Sequence, residues 1–120
     1  MVTLAVAAIF ASVLCTASYG RLVGGKTEIE DVKTNEEVQE LGRFSVEEYN
    51  QSARLRRKME EELEFVEVVE AQQQVVSGIK YYMKISAIQS DGATRMFDSV
   101  VVVKPWLRSK RLLNFSPSSH

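Results

Sequence analysis

The chain has 120 residues, which corresponds to about one domain, and its apolar fraction of 45% and charged fraction of 26% exclude collagen and low-complexity disorder. A formal net charge of −1 argues against a dedicated nucleic-acid binder, which carries a large basic excess. The single cysteine excludes an internal disulfide framework, and with a single histidine at the last position the sequence predicts no metal and no other cofactor.

The first 20 residues predict a targeting segment. Residues 1–20 contain no charged side chain, and the apolar run from Val2 to Cys15 is shorter than the ~20 residues that cross a bilayer. Small residues follow at 16–18, which is typical of a secretory signal, so we expect the mature domain to be residues 21–120. A buried N-terminal helix is the alternative, since no basic segment opens the chain. The signal implies a secreted or vacuolar protein without stable membrane anchoring.

The segment that follows predicts a short strand and then a helix. Weak alternation over 28–32 is typical of an edge strand, and Asn35 is a favourable helix N-cap. Glu36 and Glu37 place carboxylates in the first turn, where the helix dipole favours them. Polar residues such as Gln39 are expected to face away from a stripe at spacings of three and four, which consists of Val38, Leu41, Gly42, Ser45, Val46, Tyr49 and Ala53.

Beyond Glu61 the apolar period changes to two, which indicates strands. A phase slip between Phe65 and Val66 predicts a β-bulge in the first strand, and Pro105 ends the third because proline cannot donate to a ladder. The predicted segments, in order, are a strand from Leu63 to about Val76, a strand over 79–87, a turn at 90–92, a strand over 94–103 and a final strand over 107–115. A short strand, one helix and this meander predict an α+β fold in which the helix covers one face of an antiparallel sheet.

The residues do not predict an enzyme. His120 lies at the terminus, so no nucleophile has a histidine partner, and no glycine-rich phosphate loop follows a strand. The basic run Arg54–Lys58 precedes several glutamates and is interpreted as a salt-bridged helix end rather than a nucleic-acid patch. A second basic cluster serves either solubility or the choice of partner and the rate of association; it consists of Lys104, Arg108, Lys110 and Arg111.

Three short motifs remain, and the topology is expected to bring them together. They are Leu22-Val23-Gly24-Gly25, Gln74-Val75-Val76-Ser77-Gly78 and Pro105-Trp106. In an antiparallel meander, strands two apart run in the same direction, so the turns at 74–78 and 105–106 fall at the same end of the sheet. The first strand leaves the Gly-Gly segment near that end. We therefore expect three apolar elements to project as one edge.

These motifs resemble those of the cystatins, which are protein inhibitors of papain-like cysteine proteases. The segment 74–78 matches their Gln-x-Val-x-Gly hairpin, Gly24-Gly25 matches their N-terminal glycines, and Pro105-Trp106 matches their second hairpin. The helical segment 41–50, Leu-Gly-Arg-Phe-Ser-Val-Glu-Glu-Tyr-Asn, is similar to the signature of the plant branch, the phytocystatins. Two departures are Gly42, where the plant signature usually has alanine, and Lys26, where an aromatic residue is common.

The resemblance covers residues 22–115 and implies a cystatin-like fold. In that fold an antiparallel sheet of four to five strands wraps around one long helix, in the order β-α-β-β-β-β, and residues 21–120 form one inhibitor domain. The resemblance also implies a reversible, competitive inhibitor of papain-like cysteine proteases that acts in plant defence. No nucleic-acid partner is expected, and a monomer is expected unless hairpins exchange between chains to form a domain-swapped dimer.

The resemblance assigns the inhibition to a three-part wedge, and residue chemistry suggests each role. Apolar side chains fill substrate pockets or supply contact, the glycines permit close approach and a tight turn, and Pro105 limits the entropy lost on binding. Trp106 fits the profile of an interface anchor. The wedge consists of Leu22, Val23, Gly24, Gly25, Gln74, Val75, Val76, Ser77, Gly78, Pro105 and Trp106. The alternative is a non-inhibitory interaction or storage protein of the same fold.

Overall fold

One helix packs against a five-stranded antiparallel sheet in the computed structural model, which describes residues 25–119. The helix is α1, Glu36–Leu55, and the strands follow the chain order across the sheet: β1 Thr27–Glu28, β2 Glu64–Val76, β3 Gly78–Ile88, β4 Thr94–Lys104 and β5 Ser109–Pro117. This arrangement confirms the predicted α+β fold and the order β-α-β-β-β-β. No helix within these residues is both long and apolar enough to cross a membrane. The predicted signal segment, residues 1–20, lies outside the described residues.

The helix begins where the sequence predicts. The Asn35 side-chain oxygen accepts a hydrogen bond from the backbone N–H of Val38 at 3.1 Å, which satisfies one of the amide groups left without a partner in the first turn. The predicted stripe is buried with one exception, since Tyr49 is half-buried and Asn50 beside it is buried instead. The half-buried Tyr49 ring stacks on Phe115 of β5, with ring centroids 4.9 Å apart.

The side-chain amides of two α1 residues hydrogen-bond the backbone of β2 or of Leu63, the residue directly before it, and sequence periodicity does not reveal either contact. Gln39 was expected to face away, but its Nε2 donates to the carbonyl of Val68 at 3.1 Å and its Oε1 accepts from the Val68 N–H at 3.0 Å. Asn50 does the same further along: Nδ2 donates to the Leu63 carbonyl and Oδ1 accepts from the Leu63 N–H, both at 2.8 Å. Since β1 pairs only with Gln72 and Gln73, these side chains supply hydrogen bonds that no neighbouring strand supplies there.

Strand β2 carries the predicted bulge and a second one. Its register with β3 shifts between Phe65 and Glu67 and again between Val68 and Glu70. Each shift moves the alternation by one residue, so the side chains buried along β2 are those of Val68 and Ala71, and Leu63 directly before the strand is buried as well.

Two predicted strands begin or end differently. The first strand was expected over 28–32, but it covers only Thr27–Glu28, because Asp31 has a left-handed backbone (φ 54°) and a 3₁₀ turn over Val32–Thr34 follows. The final strand was expected from Leu107, but Pro105–Leu107 forms a 3₁₀ turn that closes with an N–H···O bond from Arg108 to Pro105 at 3.0 Å. Arg108 has a φ of 50°, so the strand resumes only at Ser109.

Gly42 lies where α1 comes closest to β2. A Cβ built on Gly42 would stand 2.9 Å from Phe65 Cε1 and would overlap Val68 Cγ2. Val68 is fully buried and β-branched, so its methyl group has little room to move. The expected close packing of this glycine against the sheet is therefore present, and it offsets the low helix propensity of glycine.

Substitution of Gly42 with alanine is expected to lower the free energy of unfolding by about 1 kcal/mol, because overpacking outweighs the gain in helix propensity. Val68→Ala alone should cost about 2–3 kcal/mol through a cavity, and it should cost about 1 kcal/mol less in the Gly42→Ala background, where the new Cβ has space. Urea unfolding of the four proteins, followed by circular dichroism, measures this coupling. Equal costs of Val68→Ala in both backgrounds would contradict the contact.

Candidate functional site

The turns of the two long hairpins lie at the same end of the sheet, as the meander predicts. Val76 pairs with Gly78 at the end of the β2–β3 hairpin, and Lys104 pairs with Ser109 at the end of the β4–β5 hairpin. The pairing of Ile79 with Val103 joins the two hairpins side by side.

The start of the described chain approaches the same end. Thr27 pairs antiparallel with Gln73, so the residues that precede β1 run toward the β2–β3 turn, and Gly25 is exposed there. The predicted wedge residues Leu22, Val23 and Gly24 lie outside the described residues. The structure therefore places the turns of the two hairpins and the segment from Gly25 to β1 at the same end of the sheet.

The turns present four large apolar side chains to solvent, which we call the apolar tip. Its members are Val75 (64% exposed), Val76 (45%), Trp106 (65%) and Leu107 (62%). Of the neighbouring wedge residues, Ser77 and Pro105 are also exposed. Exposed apolar side chains that adjoin one another at the end of a sheet are typical of an interaction site rather than of scattered surface residues. Leu107 was missed by the sequence analysis because it was placed in the final strand.

Gly78 holds the two hairpins close together. Its φ of 133° is a conformation that favours glycine, and a Cβ here would lie 2.9 Å from the backbone carbonyl oxygen of Val103. Val103 is the second-last residue of β4, directly before the second turn, so any side chain at position 78 would push the two turns apart. The relative position of the turns thus depends on this glycine.

Gln74 is held by a neighbouring strand. Tyr82 Oη donates a hydrogen bond of 2.7 Å to Gln74 Oε1, and Lys26 Nζ lies 4.0 Å from the centroid of the Tyr82 ring. A cation over an aromatic face is attracted by the ring quadrupole. Tyr82 therefore links the base of the first hairpin to the segment that leads to Gly25. Strand alternation alone does not reveal this role of Tyr82, which follows from the observed register that places Tyr82 and Gln74 on one face.

The second hairpin is basic on both faces. Lys110 Nζ lies 4.9 Å over the Phe44 ring on the helix side, where Arg108 also lines a shallow groove with Glu37 and Glu40. Arg111, opposite Val102 on β4, belongs to the other face by alternation. On the helix side of the sheet, burial and then the Glu37 carboxylate raise the pKa of the Tyr81 phenol above its ordinary value.

The described part of the chain holds no group of three or more His, Cys, Asp or Glu side chains placed to bind a metal ion. The chemistry that the site does offer is apolar contact, backbone hydrogen bonding at two turns, and positive charge around them.

Comparisons with known proteins find proteinase inhibitors, although their descriptions name two classes of proteinase. Residues 29–118 match the family described as "SQAPI: Aspartic acid proteinase inhibitor". Rice (Oryza sativa subsp. japonica) "Cysteine proteinase inhibitor 4" is 55% identical over 106 residues, which cover 83% of this chain and 67% of that protein. "Cysteine proteinase inhibitor 2" of Arabidopsis thaliana is 46% identical over 107 residues, which cover 80% and 73% of the two chains.

Solved structures with a similar fold include two animal proteins. The salivary cystatin of the soft tick Ornithodoros moubata aligns with a TM-score of 0.65 at 18% identity and covers 81% of this chain and 99% of that one. Dimeric human cystatin F aligns with a TM-score of 0.61 at 17% identity and covers 88% and 95%. At these identities the similarity shows the fold alone.

Proposed function

Because this chain belongs to the phytocystatins, the plant branch of the cystatin family of cysteine proteinase inhibitors, we propose that it inhibits papain-like cysteine proteases reversibly and competitively. The observation that supports this mechanism is the apolar tip, where Val75, Val76, Trp106 and Leu107 are exposed side by side at one end of the sheet. In the proposed complex the tip enters the active-site cleft and covers the catalytic cysteine. Such contact excludes substrate without a covalent step, so inhibition is reversible.

The wedge binds well because it is already in its binding conformation. Gly78 sets the spacing of the two turns, Pro105 limits the backbone of the second, and Tyr82 holds Gln74 of the first. A preorganised edge loses little conformational entropy on docking, so burial of its apolar side chains contributes directly to affinity. Gly25, together with Leu22, Val23 and Gly24, is the third part of the proposed wedge.

Aspartic proteinases are a second candidate target, because the description of the matching family model names them. The cysteine proteases remain the first candidate, since relatives that are 46% and 55% identical over most of this chain are named as their inhibitors. A non-inhibitory interaction or storage protein is the remaining alternative.

The test is a titration of active papain and, separately, of pepsin with the purified chain. We expect papain activity to fall linearly to zero at equimolar inhibitor, to return on dilution, and to show competition with substrate, while pepsin activity stays unchanged. Loss of pepsin activity alone would favour the second candidate. Full activity of both enzymes in excess inhibitor would favour the non-inhibitory alternative. A Leu55→Ala variant should inhibit papain as the wild type does. Leu55 is an exposed apolar residue at the end of α1 that is far from the apolar tip, so this variant controls for the loss of an exposed apolar side chain elsewhere.

Tyr82→Phe is expected to weaken papain inhibition about 3- to 10-fold, because it removes a hydrogen bond of roughly 1 kcal/mol that helps to position Gln74. The free energy of unfolding should fall by no more than about 1 kcal/mol, since only this one hydrogen bond is lost and Tyr82 lies outside the buried core. Inhibition constants and urea unfolding measure the two effects. Tyr49→Phe is the matched control, because Tyr49 also donates to a side chain, Glu61 at 3.4 Å, but away from the wedge. Equal inhibition by wild type and Tyr82→Phe would contradict the positioning role.

A further inference from the structure

Six basic residues surround the apolar tip, and we call them the basic collar: Lys26, Lys80, Lys104, Arg108, Lys110 and Arg111. Lys104 ends β4 beside the turn, and Lys110 and Arg111 follow the turn on β5. Lys80 lies opposite Gln74 at the first hairpin, and Lys26 directly precedes β1. The collar therefore borders the tip on both faces of the sheet.

The collar is not neutralised by close ion pairs. Within residues 25–119, no carboxylate lies within 4.0 Å of a collar nitrogen, and Lys26 and Lys110 instead lie over aromatic rings. The basic residues at the other end behave differently, since Arg54 pairs with Glu62 at 3.0 Å and Arg56 pairs with Glu61 at 3.1 Å. The predicted salt-bridged helix end is thus present, whereas the second basic cluster has no such partners.

Acidic residues lie near the collar on both faces of the sheet and at its far end. On the face away from the helix, Glu70 and Asp98 line a shallow groove with Lys26. On the helix side, Glu37 and Glu40 line the other groove with Arg108 and Lys110, and Glu40 is already paired with Arg43. The remaining glutamates around 60–67 precede or lie along the early part of β2, away from the turns. The net charge of −1 therefore conceals a positive end that coincides with the apolar tip.

We infer that the wedge selects papain-like proteases whose active-site cleft is rimmed by acidic side chains, and that the basic collar steers it toward them. This inference rests on the proposed function and specifies its target. Charges at the rim of an interface act before contact, over a Debye length of about 8 Å at physiological salt, and chiefly raise the association rate constant. Apolar contact at the tip, which acts only at short range, then sets the dissociation rate constant.

The experiment compares two double charge reversals that are matched in chemistry. Arg108→Glu/Arg111→Glu alters the collar, and Arg57→Glu/Lys58→Glu alters the opposite end by the same total charge. Each pair contains one exposed arginine with a left-handed backbone, Arg108 at φ 50° and Arg57 at φ 60°, and one further exposed residue. The two ends are roughly 35 Å apart along β3, at about 3.3 Å for each of its 11 residues, which exceeds the screening length of about 8 Å at physiological salt several-fold.

Stopped-flow measurements give the association and dissociation rate constants for two papain-like proteases of known structure, one with an acidic and one with a basic cleft rim. We expect the wild type to associate with the acidic-rimmed enzyme at least roughly tenfold faster at low ionic strength than at about 1 M salt, with a much smaller dependence for the other enzyme. The collar reversal should remove most of that dependence and leave the dissociation rate constant within about twofold. The control reversal should match the wild type at physiological salt, where charges at the opposite end are screened from the collar.

Two results would overturn the inference. If the association rate constant for the acidic-rimmed enzyme is insensitive to salt and to the collar reversal while inhibition persists, the steering is wrong and the proposed function stands. If neither enzyme is inhibited by any of the proteins, the proposed function fails and the inference fails with it.

Discussion

Trp106→Ala is expected to weaken papain inhibition about 30-fold or more. Trp106 is 65% exposed in the unbound protein, and a tryptophan that becomes buried at the centre of an interface commonly contributes about 2 kcal/mol or more. The 3₁₀ turn that begins at Pro105 constrains the backbone at Trp106, so little backbone entropy is lost when this residue docks. Inhibition constants for papain at fixed pH and salt measure the loss.

The fold should be unaffected by Trp106→Ala, because an exposed side chain contributes little to the core. Urea unfolding should therefore give a midpoint close to that of the wild type. Leu113→Ala is the matched control, since Leu113 is an exposed apolar residue on β5 but lies away from the turn. Unchanged inhibition by Trp106→Ala, with Leu107→Ala equally silent, would show that the apolar tip is not the binding surface.

Gly78→Ala is expected to reduce both stability and inhibition. The added Cβ meets the Val103 carbonyl oxygen at 2.9 Å while the backbone keeps a φ of 133°, and strain of this kind costs about 1–3 kcal/mol. Relief of the clash moves the two turns apart, so the preorganised tip is lost and inhibition should weaken about tenfold or more. Urea unfolding and papain titration measure the two effects on the same samples.

Gly92→Ala separates backbone strain from the clash. Gly92 also has a positive φ, 88°, but no atom lies within 4 Å of a Cβ built there. It belongs to the β3–β4 turn at the opposite end, so this variant should lose some stability and keep full inhibition. A Gly78→Ala protein that inhibits as well as Gly92→Ala would contradict the role of Gly78 in spacing the turns.

Periodicity and turn chemistry account for most of the predicted fold. The N-cap at Asn35, the switch to alternation after Glu61 and the stop at Pro105 each have a local physical cause, and each lies where expected. The roles of Gln39 and Asn50 could not be predicted in this way, because they depend on where β1 stops covering the backbone of β2. The point at which β1 ends along β2 is a tertiary property without a local sequence signal.

The candidate site was predicted where its residues carry backbone constraints and missed where they do not. Glycine and proline favour turns, so Gly78 and Pro105 allow the positions of both hairpin turns to be predicted from the sequence. Leu107 belongs to the turn rather than to β5 because Arg108 has a left-handed backbone. The sequence does not predict this, since arginine has no preference for that conformation. Tyr82 alternates like any strand residue, and only the register with β2 shows that its hydroxyl reaches Gln74.

The shortness of β1 has a consequence for solubility at high concentration. An outer strand with open N–H and C=O groups is a template onto which another molecule can add a strand, and chains of such additions lead to aggregates. The Gln39 amide occupies both backbone groups of Val68 at the margin that β1 leaves uncovered, and the bulges on either side of Val68 bend that margin out of a flat shape. Through Gln39, the helix that supports the sheet therefore also blocks the addition of a strand at the edge that β1 leaves uncovered.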